Sequence, residues 1–291
     1  MANRLEVLKT YKLYIGGQFP RTESGRYYNP KNSKGEVLGN ICLASRKDFR
    51  NAVVAARKAQ GGWEGKTAFN RGQILYRIAE NLEGRKKEFI DLIVLEEGLS
   101  NSKATDVVNG AIDLFIYYAG WADKYQQIFS SVNPVSSSHF NFSMMEATGV
   151  VGCMNTSNTS FLTFVGAIAA IIVSGNTLVC LANETAPLSA ITLAEVFQHS
   201  DLSAGVVNIL TGKIDELKSH FASHMDVNAL LLNGQGLDLS EIENIASGNL
   251  KRVRHWDLSK NVSSPYCIKD FLEVKTTWHP IEQIGGATAG Y

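Results

Sequence analysis

The sequence predicts an α/β protein built around a doubly wound parallel sheet. Three observations lead to this fold class. The chain has 291 residues, of which 45% are hydrophobic and 19% charged, and this is enough for a sizeable core. In the second half, apolar runs of strand length alternate with helical patterns, which is typical of parallel strands joined by crossover helices. The first half shows mainly helical periodicity, which predicts a layer of helices.

The N-terminal part is predicted to begin with a short hairpin and to continue as helices. Alternating residues surround a Gly-Gly turn in residues 11–19, and residues 45–48 have the pattern of a capping box. Helical periodicity then extends over residues 67–97 and 104–129. We assign residues 1–133 to this hairpin and helical layer.

The remaining sequence predicts a hairpin, the parallel sheet and a final strand. Residues 134–148 contain the weakly alternating hairpin segment, residues 149–262 the parallel sheet, and residues 263–291 the last strand and tail. In the last strand, Leu272 and Val274 fall on one face, and an exposed strand edge is a ready pairing surface. The expected sheet elements, in order, are strands 149–154 and 176–181, helix 186–199, strand 206–210, helix 214–224 and strand 229–232.

Charge and hydropathy argue against several classes of function. Twenty-eight Lys and Arg balance 28 Asp and Glu, so we expect neither nucleic acid nor a membrane surface as a partner. The most apolar stretch, residues 161–173, is shorter than the roughly 20 residues that a bilayer span needs. Since the N-terminus has no apolar signal core, a cytoplasmic location is expected.

No metal site is expected from the cysteines or histidines. The spacing of His220 and His224 lacks the glutamate of a zinc-binding helix, so a solvated helix end is the preferred interpretation. The cysteines are far apart and form no metal-binding pair, and they are expected to be buried free thiols. They are Cys42, Cys153, Cys180 and Cys267.

Several blocks of sequence, found in one order, resemble the cofactor domain of aldehyde dehydrogenases. They are GVVGCMNTSN at 149–158, GNTLV at 175–179, ETAPLS at 184–189 and GVVNILTG at 205–212. LYIGGQF at 13–19 and FLEVKTT at 271–277 also resemble the two ends of such enzymes. The resemblance implies a Rossmann-like domain, an N-terminal helical layer and a β-flap that serves oligomerisation.

The resemblance also implies that the catalytic domain is missing. These enzymes carry it between the cofactor domain and the terminal strand, yet only 14 residues, 257–270, separate the matching points here. A domain needs about 50 residues or more. The cysteine nucleophile would lie in that domain, Trp256 occupies the position of the general base, and the oxyanion-stabilising asparagine aligns with Asn158. Asp257, one residue from the base position, is an alternative base, although a solvated loop carboxylate is preferred.

The cofactor positions implied by the resemblance are only partly retained. The Lys and Glu that hold the adenosine ribose correspond to Leu181 and Glu184, so half of the clamp is lost. Asp238 or Ser240 can cap the helix that supports the pyrophosphate, but Asp238 brings negative charge towards that group. We therefore expect no bound cofactor, with NAD as the open alternative. The vestigial positions are Leu181, Glu184, Gly212, Gly234 and Gln235.

These features predict a pseudoenzyme, an oxidoreductase by descent only. Residues 11–26, 44–48 and 70–80 look most like the non-catalytic second domain of family-16 aldehyde dehydrogenases. We predict a subunit that docks through its flap on an active NAD-dependent aldehyde dehydrogenase or on its own copy. The alternatives are an NAD(P)-binding sensor module and an active oxidoreductase using Cys153 or Cys180. The candidate interface residues are Phe140, Phe142, Phe271, Leu272, Val274, Thr276 and Trp278.

Overall fold

The fold is given by a computed structural model, which describes residues 7–156, 160–257 and 263–281. The helices are α1 Arg46–Glu64, α2 Ala68–Gly84, α3 Lys86–Glu97, α4 Asn101–Trp121, α5 Tyr125–Phe129, α6 Ser160–Ile172, α7 Leu188–Gln198, α8 Ile214–Ser223, α9 Leu239–Ala246 and α10 Pro265–Lys269. The strands are β1 Thr10–Tyr11, β2 Tyr27–Tyr28, β3 Asn40–Cys42, β4 Ser131–Asn133, β5 His139–Ala147, β6 Val150–Asn155, β7 Thr177–Leu181, β8 Val207–Leu210, β9 Ala229–Asn233, β10 Arg252–Trp256 and β11 Leu272–Pro280.

Five parallel strands form the central sheet in the order β10-β9-β6-β7-β8. From β6 the chain moves outward to β7 and β8, then crosses back past β6 to β9 and β10, so the sheet is doubly wound. This confirms the predicted fold class. The strand order reverses between β6 and β9, and the carboxyl ends of these two strands form the switch point at which such sheets bind ligands.

Helices cover both faces of this sheet, which explains why strands β6 to β9 are buried throughout. On one face, α1, α8 and α9 pack through residues such as Phe49, Val53, Phe221 and Ile242. On the other, α6 and α7 pack on the sheet and are covered in turn by α2, α3 and α4. Within the predicted helical layer, α1 therefore lies directly on the sheet, whereas α2, α3 and α4 form a second layer that α6 and α7 separate from the sheet.

The predicted N-terminal hairpin is present, and it pairs in addition with the central sheet. Gly16 and Gly17 form the turn with φ of +59° and +76°, a region that favours glycine. Ile15 and Gln18 exchange two backbone hydrogen bonds of 3.0 Å across this turn, and Leu13 N–H donates to Pro20 O at 3.1 Å. On its other side, Tyr14 exchanges backbone hydrogen bonds of 2.9 and 2.8 Å with Ile209 of β8, and β1 runs parallel to β3. Because β8 is an edge strand, pairing with it satisfies backbone groups that a local hairpin would leave unpaired.

A second, antiparallel sheet with the order β11-β5-β4 forms what we call the flap. β5 and β11 pair over nine positions, from Leu272 opposite Ala147 to Pro280 opposite His139. The hairpin partner of β5 is β4, which precedes residue 134, so the hairpin includes residues 131–133. Only residues 257–264 separate β10 from α10, after which the chain enters β11.

Within the described ranges, no helix combines the length and the apolar character that a membrane crossing requires.

Candidate functional site

The switch point contains a buried cluster of polar side chains. Asn155 ends β6 and lies opposite Asn233, which ends β9. The amide Nδ2 of Asn233 donates to Asn155 Oδ1 and to the carbonyl of Thr163, both at 3.2 Å. Asn233 Oδ1 is buried and finds no hydrogen-bond donor in the part of the chain that the structure describes. Since an unsatisfied buried acceptor costs about 1–3 kcal/mol, this oxygen is suited to receive a donor from outside the chain.

The ribose-clamp positions do not form a clamp. Leu181, the last residue of β7, is buried in the core cluster with Val179 and Leu210, so it presents hydrocarbon where the resemblance implies a lysine. Glu184 is half-buried in the loop after β7. Burial, followed by the charges of Glu184 and Glu96, raises the pKa of Tyr28 well above its ordinary value.

The three other vestigial positions, Gly212, Gly234 and Gln235, allow close approach of chain segments or take part in backbone hydrogen bonds. At Gly212 an added Cβ would lie 3.3 Å from the backbone nitrogen of Ala44, so the glycine permits a close approach of two segments. Gly234 has a φ of +119° and donates its N–H to the carbonyl of Trp256 at 3.1 Å. Gln235 is exposed, and its carbonyl accepts from the hydroxyl of Thr156 at 2.9 Å.

The helix start expected to support a pyrophosphate is capped by the chain itself. Asp238 precedes α9, and its Oδ1 accepts from the backbone N–H of Glu241 at 3.1 Å, which confirms that Asp238 caps this helix. Lys218 of α8 forms an ion pair with Glu241 at 2.7 Å. A carboxylate already occupies the first turn, where a bound anion would otherwise be stabilised.

The four cysteines are buried free thiols, as expected. Cys153 of β6 and Cys180 of β7 lie opposite each other in the sheet and are at most 1% exposed. Burial raises the pKa of Cys153 to about 12 and that of Cys180 well above the ordinary value. Burial likewise raises the pKa of Cys267 to about 11. Reactive cysteines have a depressed pKa and access to solvent, and these residues have neither.

Of the other catalytic positions, the structure describes Trp256 and Asp257. Trp256 is 7% exposed, its indole Nε1 donates to Asp270 Oδ2 at 2.7 Å, and its ring packs edge-on against Phe271. An indole N–H donates and cannot accept the proton that a base must take. Asp257 is exposed at the end of β10. Asn158 lies outside the described residues.

A metal site would need several His, Cys, Asp or Glu side chains close together within residues 7–156, 160–257 and 263–281. That part of the chain brings together no group of three or more His, Cys, Asp or Glu side chains able to hold a metal ion. Burial lowers the pKa of both His220 and His224. His224 accepts a hydrogen bond from the backbone of Asp226 at 3.2 Å, which fits the expected helix end.

The candidate interface residues of the flap divide into three groups. Phe271 and Leu272 are buried in the core of the chain, so they contribute little to an exposed surface. The β5–β11 register places Val274, Thr276 and Trp278 on one face of the flap. The opposite face carries Val132, Phe140, Phe142 and Met144, which we call the aromatic face of the flap.

The arrangement of a doubly wound domain followed directly by a flap can be compared with known proteins. A family model described as "Aldehyde dehydrogenase family" matches residues 20–259. The chain belongs to the aldehyde dehydrogenase family. The matched residues include the parallel sheet and strands β4 and β5 of the flap, whereas β11 follows the matched range.

Individual relatives of this aldehyde dehydrogenase family member are considerably longer than the chain. It is 34% identical over 251 residues to the putative aldehyde dehydrogenase DhaS of Bacillus subtilis, covering 84% of this chain and 50% of that protein. It is 30% identical to the cytosolic 10-formyltetrahydrofolate dehydrogenase of Xenopus tropicalis, over 86% of this chain and 28% of that protein. The chain therefore spans about half the length of the first relatives it matches, and less of the larger ones.

Solved structures of aldehyde dehydrogenases show the same fold. An NAD+ complex of the Bacillus cereus enzyme is 27% identical, with a TM-score of 0.80 over 85% of this chain and 50% of that one. A putative aldehyde dehydrogenase from Burkholderia cenocepacia is 29% identical, with a TM-score of 0.81 over 86% and 50%.

The asparagine pair at the switch point was not predicted from the sequence. The available signal was an asparagine at the end of each of two strands, Asn155 and Asn233. Their adjacency depends on β9 returning to the side of β6, which the strand order had to supply.

Proposed function

We propose that this chain is a non-catalytic aldehyde-dehydrogenase-like subunit whose flap docks on an active NAD-dependent aldehyde dehydrogenase. The observation that carries the proposal is a contrast within one chain. The thiols are sealed in the core, while the flap exposes a continuous apolar surface. Monomeric proteins rarely expose such surfaces unless they bind something.

The chemistry of aldehyde oxidation supports this assignment. The reaction in this family needs a thiolate that attacks the aldehyde and a base that accepts a proton. With a pKa of about 12, Cys153 is a thiolate in on the order of one molecule in 10⁵ at neutral pH, and it is closed off from solvent. An oxidoreductase that uses Cys153 or Cys180 therefore has no support in the geometry. Acetaldehyde-dependent NADH formation that disappears on Cys153→Ala or Cys180→Ala would establish it nevertheless.

The residues at the family's cofactor positions do not fit NAD well. Leu181 offers no donor for a ribose, and Asp238 places a carboxylate at the helix start where a pyrophosphate would need N–H groups. Loss of one charge-assisted hydrogen bond removes about 1.5–3 kcal/mol of binding free energy. The proposed subunit therefore acts without a cofactor of its own.

The aromatic face of the flap has the composition of a binding surface. The rings of Phe140 and Phe142 lie 5.6 Å apart, and Phe140 and Val132 are 47% and 67% exposed. The polar residues Gln127 of α5 and Ser130, which follows α5, border the same depression. An apolar centre with a polar rim is the usual anatomy of a protein–protein interface.

Affinity capture tests the docking. A tagged chain is expected to recover NAD-dependent aldehyde-oxidising activity from the cells that produce it. Phe140→Ser should reduce the recovered activity at least tenfold because it removes an exposed ring from the centre of the surface. Phe69→Ser, which removes a ring that is even more exposed (69%, against 47% for Phe140) from α2, is the control and should leave recovery unchanged. Equal recovery with both variants would refute the proposed surface.

A second candidate, an NAD(P)-binding sensor module, is favoured by one observation. The unsatisfied Asn233 Oδ1 at the switch point can accept from a ligand hydroxyl or amide, and Glu184 stands near the end of the neighbouring strand β7. Titration calorimetry with NAD and NADP distinguishes the two functions. Micromolar binding that is lost in Asn233→Leu would support the sensor, and absent or millimolar binding would remove it.

A further inference from the structure

A depression of about 530 Å³ lies between α2 and α4 on the outer side of the helical layer. Small residues contribute to its lining, and a Cβ at Gly72 would lie 3.0 Å from the carbonyl oxygen of Ala119, so the glycine lets the two helices approach closely. Phe69, Tyr76 and Ile116 border the depression and are 69%, 51% and 42% exposed. Exposed apolar side chains grouped in this way are typical of an interaction surface.

The exposed side of α2 has the residue spacing of a helix that contacts another helix. Phe69, Gln73, Tyr76 and Glu80 are all exposed and follow one another at intervals of four, three and four residues. Residues with this spacing share one face of a helix. The opposite face packs in the core through residues such as Leu75. We call the exposed side the outer face of α2.

The charged residues of this surface differ in whether they already have a partner. Arg77 and Lys124 form ion pairs with aspartates of the same chain. Lys66, which precedes α2, and Glu80, near its end, form no ion pair within the part of the chain that the structure describes. They carry opposite charges and lie seven residues on either side of Gln73, roughly 10 Å along the helix. The outer face of α2 is therefore basic at one end and acidic at the other.

We propose that the outer face of α2 packs antiparallel on the same face of a second copy of the chain, around a two-fold axis at Gln73. The inference goes beyond the proposed function and uses a surface separate from the flap. The axis places Lys66 of each copy beside Glu80 of the other, so the pair forms twice. Charge complementarity of this kind selects the partner and fixes the register.

The aromatic residues fit the same arrangement. Phe69 and Tyr76 lie on the α4 side of the outer face, about one turn before and after Gln73. An antiparallel two-fold keeps that side in common, so Phe69 of each copy lies over Tyr76 of the other. The two depressions then face each other, and the rings enter the space that the small lining residues leave open. Aromatic residues that fill a pocket on the partner are the usual centre of a stable interface.

Other two-fold arrangements of the same helices are less favourable. A parallel arrangement brings Lys66 against Lys66 and Glu80 against Glu80, and such like-charge contacts disfavour association. Displacing the antiparallel axis by one helical turn places one of the two charges against Gln73 of the second copy instead. In the proposed register Arg77 faces the neutral Asn70 and keeps its ion pair within the chain.

Sedimentation of the purified full-length chain at low ionic strength, where charge contacts are least screened, tests the proposal. The chain should self-associate at micromolar concentration. Lys66→Glu and Glu80→Lys should each raise the dissociation constant roughly tenfold, because like charges then meet at two symmetric places. The double variant, with both charges reversed, restores opposite charges and should return the dissociation constant close to that of the native chain. Lys103→Glu, at the exposed start of α4, is the control and should change nothing.

Oxidative cross-linking tests the position of the axis. In Gln73→Cys the two introduced thiols face each other at the axis, with Cα atoms on the order of 5 Å apart, and should form a covalent dimer. In Glu80→Cys the two thiols lie about 20 Å apart along the paired helices and should not cross-link. The native cysteines are buried and give a low background. Cross-linking of Glu80→Cys as efficient as that of Gln73→Cys would overturn the antiparallel register.

The outcomes separate this inference from the proposed function. A chain that stays monomeric near 0.1 mM (~100-fold above a micromolar dissociation constant), or self-association that neither single charge reversal weakens, would overturn the pairing through α2. Phe69→Ser should weaken self-association roughly tenfold and leave the captured dehydrogenase activity unchanged. Phe140→Ser should have the opposite pattern, since it changes only the aromatic face of the flap.

Discussion

Glu96 is a buried carboxylate at the end of α3 that caps a different helix. It accepts hydrogen bonds from the backbone of Leu188 at 2.7 Å and of Ser189 at 3.1 Å, and from the hydroxyl of Ser189. These groups begin α7, which lacks a local side-chain cap. Burial raises the pKa of Glu96 to about 7, and the hydrogen bonds oppose that change only partly.

The raised pKa of Glu96 predicts a pH-dependent stability. Between its unfolded pKa of 4.5 and its folded pKa of about 7, the folded state binds the proton more tightly. The contribution of Glu96 is therefore fully present below pH 4.5 and is lost as the pH rises through about 7. Urea unfolding at pH 5 and pH 8 should show a larger fall in stability for the native chain than for Glu96→Gln. Equal falls would contradict the assignment.

Lys251 caps the C-terminal end of α8 through hydrogen bonds to backbone carbonyl groups. Its ammonium donates to the carbonyls of Ala222 and His224, both at 2.8 Å, and to that of Phe221 at 3.3 Å. Lys251→Met should lower the free energy of unfolding by about 2 kcal/mol because these carbonyls lose their donor. The exposed Lys103→Met serves as the control in denaturant titrations. A change below about 0.5 kcal/mol, the scatter of ordinary surface substitutions, would show that water replaces the ammonium.

At the scale of elements, the sequence predicted the capping box of α1 correctly. Ser45 and Asp48 form it, with the Asp48 carboxylate accepting from the backbone N–H of Ser45 at 2.8 Å. The structure adds Thr22, whose hydroxyl donates to the same carboxylate at 2.7 Å. A contact between residues so far apart in sequence carries no local signal.

Because of the additional contact to Thr22, Asp48 should contribute more to the stability of the fold than Ser45 does. Asp48→Ala should lower the free energy of unfolding by about 2–3 kcal/mol, since it removes the carboxylate that accepts from the Thr22 hydroxyl and from the Ser45 N–H. Ser45→Ala should cost about 1 kcal/mol, the usual value of a lost N-cap. Thermal or urea unfolding of the two variants gives the comparison. Equal losses would mean that the contact to Thr22 adds nothing.

Local patterns predicted elements well and pairings less well. The buried strands β6, β7 and β9 are continuous apolar runs, so they were visible in the sequence. The pairing of Tyr14 with Ile209 of β8 was not visible in the sequence, because β8 becomes an edge strand only after the sheet has assembled. The asparagine pair at the switch point was missed for the same reason.

For the whole molecule, the family resemblance supplied what periodicity could not. It implied a flap in which the last strand joins a hairpin more than 100 residues away, and β11 indeed pairs with β5. Side-chain burial was harder to foresee: Phe271 follows an exposed-looking segment, yet its ring packs against Trp256 inside the core. Which apolar residues face inward depends on the neighbouring α10 and β10.

One carboxylate, that of Asp270, bonds to side chains of β10 and so links the two ends of the short connection that follows β10. Asp270 accepts from the indole of Trp256 at 2.7 Å and from Arg254 Nε at 3.0 Å, so the exit from one sheet and the entry to the other are held together by side chains. The length of the intervening chain hardly affects these hydrogen bonds, because closing a longer loop between fixed ends costs little more free energy. Insertion or deletion of a whole domain in this connection should therefore leave the rest of the fold intact.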